Sequence, residues 1–302
     1  FEGVVVARSC EFESHPAHEK GSIFCYLFLF LYLDCFIFFC LLIKCTNMDK
    51  SPEQIEYNRL RKRLFKRFHE ACQTYSLLQN GDHILVGLSG GKDSLLLTEL
   101  LGSQSRIYVP KINVTALHVR VADRNYISDT SYLESFCQHV GVPLIIKDTE
   151  IVGKETKDPC FLCSWYRRKC LLDTAQELGC NKIAFGHHRD DVLETLLMNL
   201  IYEGRCSSIP PALQLDKMPL MLIRPLWMID ESDIERFAVL SSYQKQIRLC
   251  PFEDHSSRHK MTELLTRLQT LNPNVRSSLL HALECSSYGH SLQNPILPSE
   301  II

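Results

Sequence analysis

Methionine is missing from the first forty-seven residues of this 302-residue chain, which opens on Phe1 and reaches its first methionine at Met48. Net charge is scarce as well: 33 Lys and Arg stand against 35 Asp and Glu, a formal −2. A balance this even excludes nucleic-acid recognition by a uniformly basic surface and leaves that role to local patches. There is no credible secretory signal, no internal repeat and no low-complexity tract after Met48. A second Cys-x-x-Cys is lacking too, so paired motifs of the zinc-ribbon kind are excluded. Cysteine itself is plentiful, with 14 in all and five of them before Met48. The nine that remain are an odd number with no secretory context, which argues against a disulfide framework and for metal binding or catalysis by a well-spaced subset.

The opening segment differs from everything after it. Ile23 to Ile43 is apolar except for Asp34 and is flanked by Lys20 and Lys44, the length of a membrane-spanning helix. The alternative is upstream DNA read through in error, with Met48 as the start. Glu11-Phe12-Glu13-Ser14, whose codons can spell a tRNA gene's T-loop, favours that alternative, so residues 1–47 are set aside from the fold and no membrane association is expected. The remainder suits one large α/β domain. It divides into a basic helical segment (48–80), a central domain (81–245) that carries the glycine loop described below, and a helical extension (246–302). In the first of these, Arg59, Arg61, Lys62, Arg63, Lys66 and Arg67 surround Leu60, Leu64 and Phe68 at helical spacing. That pattern fits either a solvated amphipathic helix or a phosphate-binding face.

After the turn at Gln79-Asn80-Gly81-Asp82, short apolar runs alternate with helical patterns. His83–Leu88, Ile112–Val119, Pro143–Ile146, Lys182–Phe185 and Leu220–Ile223 read as strands. Helices are expected from the glycine turn through Leu101, near Asp129–Val140, over Ser164–Leu178, from Asp191 to about Tyr202 and over Asp230–Leu240. This order predicts an α/β fold, a parallel sheet with helices on both faces. The region from Cys250 to Leu283 reads as two further helices split by Asn272-Pro273. In such a sheet ligands bind beyond the carboxyl ends of the strands, and each chemical motif falls at one of those ends.

Ser89-Gly90-Gly91-Lys92-Asp93-Ser94 follows the first strand and opens a helix. The glycines let backbone approach a ligand, a helix start binds anions, and Lys92 adds a point charge. A Walker loop would need glycine where Val86 stands and a hydroxyl residue where Asp93 stands, which excludes that class. The string instead resembles the PP-loop of ATP pyrophosphatases, which cleave ATP between its α and β phosphates and transfer AMP. Cys160-Phe161-Leu162-Cys163 stands just before a helix, and Cys250 precedes Pro251. From spacing alone, metal and redox readings of these thiols have equal weight. In Gly186-His187-His188-Arg189-Asp190-Asp191-Val192-Leu193-Glu194-Thr195, Asp191 and Glu194 fit an N-cap with its reciprocal partner, or Asp191 serves magnesium or ATP. One of His187 and His188 is expected to contact nucleotide while the other packs. Arg167, Arg168 and Lys169 are expected to meet phosphates in preference to forming idle surface, Trp165 and Tyr166 to pack in the core, with stacking on a splayed base as the alternative, and the remaining cysteines to be buried or semi-buried.

Taken together, the PP-loop, the Cys-x-x-Cys before Arg167-Arg168, the late Cys250, Gly-His-His-x-x-Asp, Ile209-Pro210-Pro211 and Ile223-Arg224-Pro225-Leu226 resemble the TtcA family, the tRNA-cytidine 2-sulfurtransferases, over about Asn58 to Leu283. The resemblance implies an adenine nucleotide alpha-hydrolase-like fold and ATP with Mg2+ at Ser89, Gly90, Gly91, Lys92, Asp93 and Ser94, joined by His187 and His188. Lys92, Asp93 and Asp191 are the implied catalytic residues. It further implies a 4Fe–4S cluster on Cys160, Cys163 and Cys250. A cysteine desulfurase would be the sulfur source, and a homodimer in the cytoplasm the working form. The activity implied is adenylation of the C2 oxygen of cytidine 32 in a tRNA anticodon loop, then sulfur transfer to give 2-thiocytidine. Many relatives carry a further cysteine three residues after the last ligand; here Glu253 stands there, which supports an open iron site. Two enzyme rivals are a cluster-free thiolase using Cys160 and Cys163 persulfide chemistry and a 2-thiouridine synthase.

Overall fold

The computed structural model describes residues 51–107, 109–121, 130–150, 159–244 and 257–288. The chain divides into Phe1–Ile55 and Glu56–Ile302; of the first unit only residues 51–55 are described, and the sheet and the remaining elements belong to the second.

Helix α1 (Pro52–Thr74) buries Leu60, Leu64, Phe68, Ala71 and Cys72 along one stripe, as the i, i+4 spacing requires, and leaves the basic residues between them outside. The sheet has the order β3-β2-β1-β4-β6-β5. Strands β1 (His83–Gly87), β2 (Asn113–Val121), β3 (Leu144–Thr149), β4 (Lys182–Ala184) and β6 (Met221–Ile223) run parallel. β5 (Ala212–Gln214) closes one edge antiparallel to β6, an element the strand pattern had not revealed. Helices α2 (Lys92–Ser105), α3 (Thr130–Val140), α4 (Pro159–Glu177) and α5 (Arg189–Met198) connect the strands, and α6 (Glu231–Leu240) follows the last of them. Helices α7 (Ser257–Leu271) and α8 (Val275–Tyr288) follow, split at Asn272-Pro273 as expected.

Alternation along each strand divides the core. Ile84, Val86, Val114, Ala116, Ala184 and Ile223 face a layer that includes Leu64, Phe68, Leu96, Leu100, Leu133 and Phe237. Leu85, Leu117, Val119 and Ile183 point to the other face, where Leu171 and Ala175 of α4 cover them. Each fully buried Leu or Phe contributes about 1.5–3 kcal/mol relative to exposure, so these two layers dominate the stability of the sheet. Helix α5 is apolar on two sides for a separate reason. Val192 and Leu196 meet Trp227 and Leu283, while Leu193 and Leu197 meet Met261 and Leu265 of α7.

The order of strands creates the crevice. From β1 the chain moves through α2 to β2 on one side, and from β3 it returns through α4 to β4 on the other side of β1. The connections leaving β1 and β4 therefore diverge at the carboxyl edge, the place where α/β sheets bind ligands. Gly102 of α2 shows how tightly the layers close: a Cβ there would meet Val142 Cγ2 at 2.7 Å and the Val140 carbonyl at 2.8 Å.

Three boundaries differ from expectation. Helix α4 starts at Pro159, not Ser164, so Cys160 and Cys163 lie within its first turn. Helix α5 starts at Arg189 and ends at Met198, where a π-helical turn (Asn199–Glu203) continues to Gly204 at φ +64°. β3 extends to Thr149, well past Ile146. No described helix is long and apolar enough to cross a membrane; the apolar run Ile23–Ile43 lies outside the described residues.

Candidate active site

Gly90 takes φ +81°, a conformation that a Cβ disfavours, and turns the chain from β1 into α2. Three hydrogen bonds fix that turn. The Gly91 N–H donates to Ser89 Oγ at 3.3 Å, Ser89 Oγ donates to Ser94 Oγ at 3.2 Å, and Ser94 Oγ donates to the Gly91 carbonyl at 2.9 Å. Gly91 is the N-cap of α2 and has no side chain to cover the helix start, so the first-turn amides and the positive end of the helix dipole are presented to an anion.

Lys92 stands at the centre of a charged cluster. Its Nζ donates to Glu231 Oε1 at 2.8 Å and lies 3.5 Å from Asp93 Oδ1 and 4.0 Å from Glu235 Oε1. Burial works against the Lys92 charge, but the hydrogen bond to Glu231 and the charges of Asp93, Glu231 and Glu235 outweigh it and raise the pKa. Asp93 shifts the opposite way in stability terms: burial raises its pKa, reinforced by Asp191 and Glu231 and opposed by His188 and Lys92. Asp93 Oδ1 is buried without a hydrogen-bond partner.

The second strand end converges on the same point. A Cβ on Gly186 would lie 3.2 Å from the Asp93 carbonyl carbon and 3.3 Å from its Cβ, so the Gly-His-His string needs glycine for close approach to the phosphate loop. His188, 6 % exposed, places Nε2 3.7 Å from Asp93 Oδ1, 3.5 Å from Asp191 Oδ2 and 3.9 Å from Glu231 Oε1. His187 is half-buried with its ring 5.8 Å from that of Phe185. Asp191 accepts the His188 N–H at 3.0 Å. The N-cap of α5 is thus His188, with Asp191 as the reciprocal residue, a correction of three positions to the expected pairing of Asp191 with Glu194. Glu194 instead accepts Thr262 Oγ1 at 2.7 Å and ties α5 to α7.

Two residues in this neighbourhood carried no motif. Glu231 opens α6 at the carboxyl end of β6, and its own N–H donates to Asp190 Oδ2 at 2.8 Å. His118, 1 % exposed near the end of β2, donates through Nδ1 to the Leu88 carbonyl at 2.7 Å, one residue before the phosphate loop. Burial lowers its pKa, the Leu88 bond opposes this, and the charges of Arg167 and Arg120 lower it further. Position at a strand's carboxyl end was the available signal for both.

The thiols separate into two groups. Cys163 is free and half-buried in the first turn of α4, one turn after Cys160, whose backbone is helical. The side chain of Cys160 and all of Cys250 lie outside the described residues, as does any three-thiol arrangement; among the described residues no group of three His, Cys, Asp or Glu could hold a metal. Helix α4 follows β3, so its N-terminus lies at the carboxyl edge of the sheet, the edge that Lys92 also occupies, although α2 and α4 cover opposite faces. Two thiols at i and i+3 there fit two ligands of a thiolate-held cluster. Cys72, Cys137 and Cys180 are buried, and burial pushes their thiols up to about 12, about 11 and about 11 respectively, which makes them inert. Cys206 and Cys285 are exposed, against expectation. Trp165 is also exposed, at 42 %, where core packing had been expected.

Comparison with known proteins gives the family. The PP-loop domain family matches residues 51–260. The tRNA-cytidine(32) 2-sulfurtransferase of Erwinia tasmaniensis is 36 % identical over 228 residues, 73 % of each chain. That of Cellvibrio japonicus is 32 % identical over 245 residues, 79 % of this chain and 80 % of its own. That of Paraburkholderia phytofirmans is 34 % identical over 256 residues, 82 % and 76 %. Among solved structures, the U34-tRNA thiolase NcsA from Methanococcus maripaludis with its [4Fe-4S] cluster superposes with a TM-score of 0.66 at 24 % identity, over 80 % of this chain and 84 % of that one, a likeness of fold.

Proposed function

Since the chain belongs to the PP-loop family of tRNA-cytidine(32) 2-sulfurtransferases, we propose that it replaces the C2 oxygen of cytidine 32 in a tRNA anticodon loop with sulfur, using ATP. It is a tRNA sulfurtransferase. The observation that carries the fuller reading is the convergence of the Gly-His-His strand end on the phosphate loop, with Gly186 against Asp93 and His188 against Asp191, at the sheet edge where the Cys-x-x-Cys helix begins.

The chemistry runs in two displacements. The C2 oxygen attacks the α-phosphorus of ATP and pyrophosphate leaves; a sulfur nucleophile then adds at C2 and AMP departs with the oxygen. The first step needs positive charge beside the phosphates. Lys92 and the α2 amides supply it, aimed at charge that grows in the transition state. Before nucleotide binds, Lys92 is held by Glu231, so phosphate entry exchanges a carboxylate partner for a phosphate one. Mg2+ would arrive on the ATP phosphates, and Asp93 Oδ1, buried and without a hydrogen-bond partner, is the carboxylate oxygen that would meet it. Its chemistry there would be to neutralise the leaving pyrophosphate. His188 keeps Asp93 and Asp191 in register through its ring and its N–H.

Cys160 and Cys163 offer two soft ligands from one helical turn, and Cys250 in the C-terminal segment is the third. A 4Fe–4S cluster held by the three would supply a sulfide positioned for attack at C2. A cysteine desulfurase as sulfur source, a homodimeric state and a cytoplasmic location complete the proposal. Two measurements on anaerobically purified protein test it. Iron and acid-labile sulfide are expected in the wild type and reduced in Cys163→Ala. 2-thiocytidine is expected in digested tRNA only when ATP is present. A protein without iron that still thiolates would establish the persulfide route, and 2-thiouridine as product would establish the other rival.

A further inference from the structure

The chain has two tryptophans, and they stand in opposite environments. Trp227 is 2 % exposed and donates through Nε1 to the Ile209 carbonyl at 2.9 Å, so it is structural. Trp165 is 42 % exposed, although no side chain loses more by facing water. It lies two residues beyond Cys163 on α4, about 3 Å further along the helix axis. Its indole is held in place without being covered. The Tyr166 ring meets it edge-on, with centroids 4.9 Å apart at 88°, and Lys169 Nζ lies 5.6 Å from its centroid one turn later.

We propose that Trp165 is a stacking platform for an unpaired base of the tRNA substrate, with Lys169 beside it meeting the adjoining phosphate. The inference rests on the tRNA reading above and adds where the anticodon loop sits. An aromatic face next to a cation is the combination that binds single-stranded RNA, because every base has a face to stack and every nucleotide a charge to pair. The place fits in height only: Trp165 lies at the same end of α4 as Cys163 but about 200° around the helix axis from it, so the base stacked there belongs to a nucleotide neighbouring the one that reaches the thiols. An apolar protein partner has no use for the ammonium over the ring, which favours RNA as the occupant.

Because Trp227 is buried, the fluorescence change on RNA binding reports on Trp165. The test uses the full chain, purified anaerobically, titrated with an anticodon stem–loop RNA. Wild type is expected to show quenching that Trp165→Phe abolishes. By anisotropy with labelled RNA, Trp165→Ala weakens binding about ten-fold, Trp165→Tyr recovers most of the loss, and ATP affinity stays at the wild-type value in all three variants. The same quenching in Trp165→Phe, or wild-type RNA affinity in Trp165→Ala, overturns the proposal. So does a Trp165→Ala variant that loses only self-association, since the face then belongs to a second copy. A wild-type protein that binds no tRNA overturns the reading beneath it as well, and that outcome is distinct from the others.

Discussion

Replacing Lys92 with glutamine separates a catalytic lysine from a structural one, because the two roles differ in scale. The structural part is small. Lys92 pairs with Glu231 at 2.8 Å, with side chains 29 % and 33 % exposed, so solvent screens the pair substantially. Glutamine still donates a hydrogen bond to Glu231, and the net cost is about 1 kcal/mol, which for a domain of this size lowers Tm by roughly 2–4 °C. The catalytic part is large. Removing one charge or donor aimed at a reacting oxyanion costs about 10²–10³ in rate, equivalent to about 2.7–4 kcal/mol. The assay is single-turnover formation of thiolated nucleoside at saturating ATP, with Tm from a thermal scan on the same preparation. Lys92→Gln is expected to lose two to three orders of magnitude in rate and a few degrees in Tm, with tRNA affinity unchanged. A rate within about three-fold of wild type would refute the placement of ATP phosphates at this loop.

Asp93→Asn is expected to abolish thiolation while leaving Tm at neutral pH equal to or above wild type. The folded pKa of Asp93 lies above its ordinary value, so the native state binds the proton more tightly than the unfolded chain. That contribution is full below the unfolded pKa and is lost as pH rises through the raised folded value, and asparagine removes this pH dependence; a Tm–pH curve identical to wild type would contradict it. Gly186→Ala pushes a methyl against the Asp93 backbone at 3.2–3.3 Å and is expected to raise the KM for ATP, read from initial rates, more than it lowers Tm. Gly102→Ala meets the Val140 carbonyl and Val142 far from the site, so it is expected to cost about 1–3 kcal/mol in denaturant midpoint with catalytic constants unchanged. Leu265→Ala, at a residue 1 % exposed between α7 and α5, is expected to cost about 2–5 kcal/mol by the same measurement.

The centre of the sheet was legible because β1, β2 and β4 are buried on both faces and so read as continuous apolar runs between helical patterns. β5 escaped because Ala212-Leu213-Gln214 is three residues long and follows two prolines. The start of α4 was misplaced for a related reason. Pro159 is a suitable first helical residue, but the two cysteines after it carry no helical periodicity of their own. The α5 cap was misplaced because histidine is an uncommon N-cap, whereas aspartate three residues later is a common one. Within the candidate site, the glycine loop and the Gly-His-His-x-x-Asp string stood out as motifs, but spacing did not decide between His187 and His188. Glu231 and His118 did not stand out, since each acts through a partner distant in sequence, Lys92 and Leu88 respectively. Trp165 was misjudged because composition alone assigns tryptophan to the core, and only the fold shows which face of α4 the sheet leaves uncovered.

The central claim is that the cytidine oxygen itself becomes part of AMP before sulfur arrives. It is tested most directly with tRNA carrying oxygen-18 at C2 of the target cytidine, incubated with ATP and sulfur source, followed by mass spectrometry of the nucleotides released. Activation through adenylation predicts oxygen-18 in the phosphate of AMP, in step with 2-thiocytidine formed. Label recovered in water or pyrophosphate, with AMP unlabelled, would contradict it.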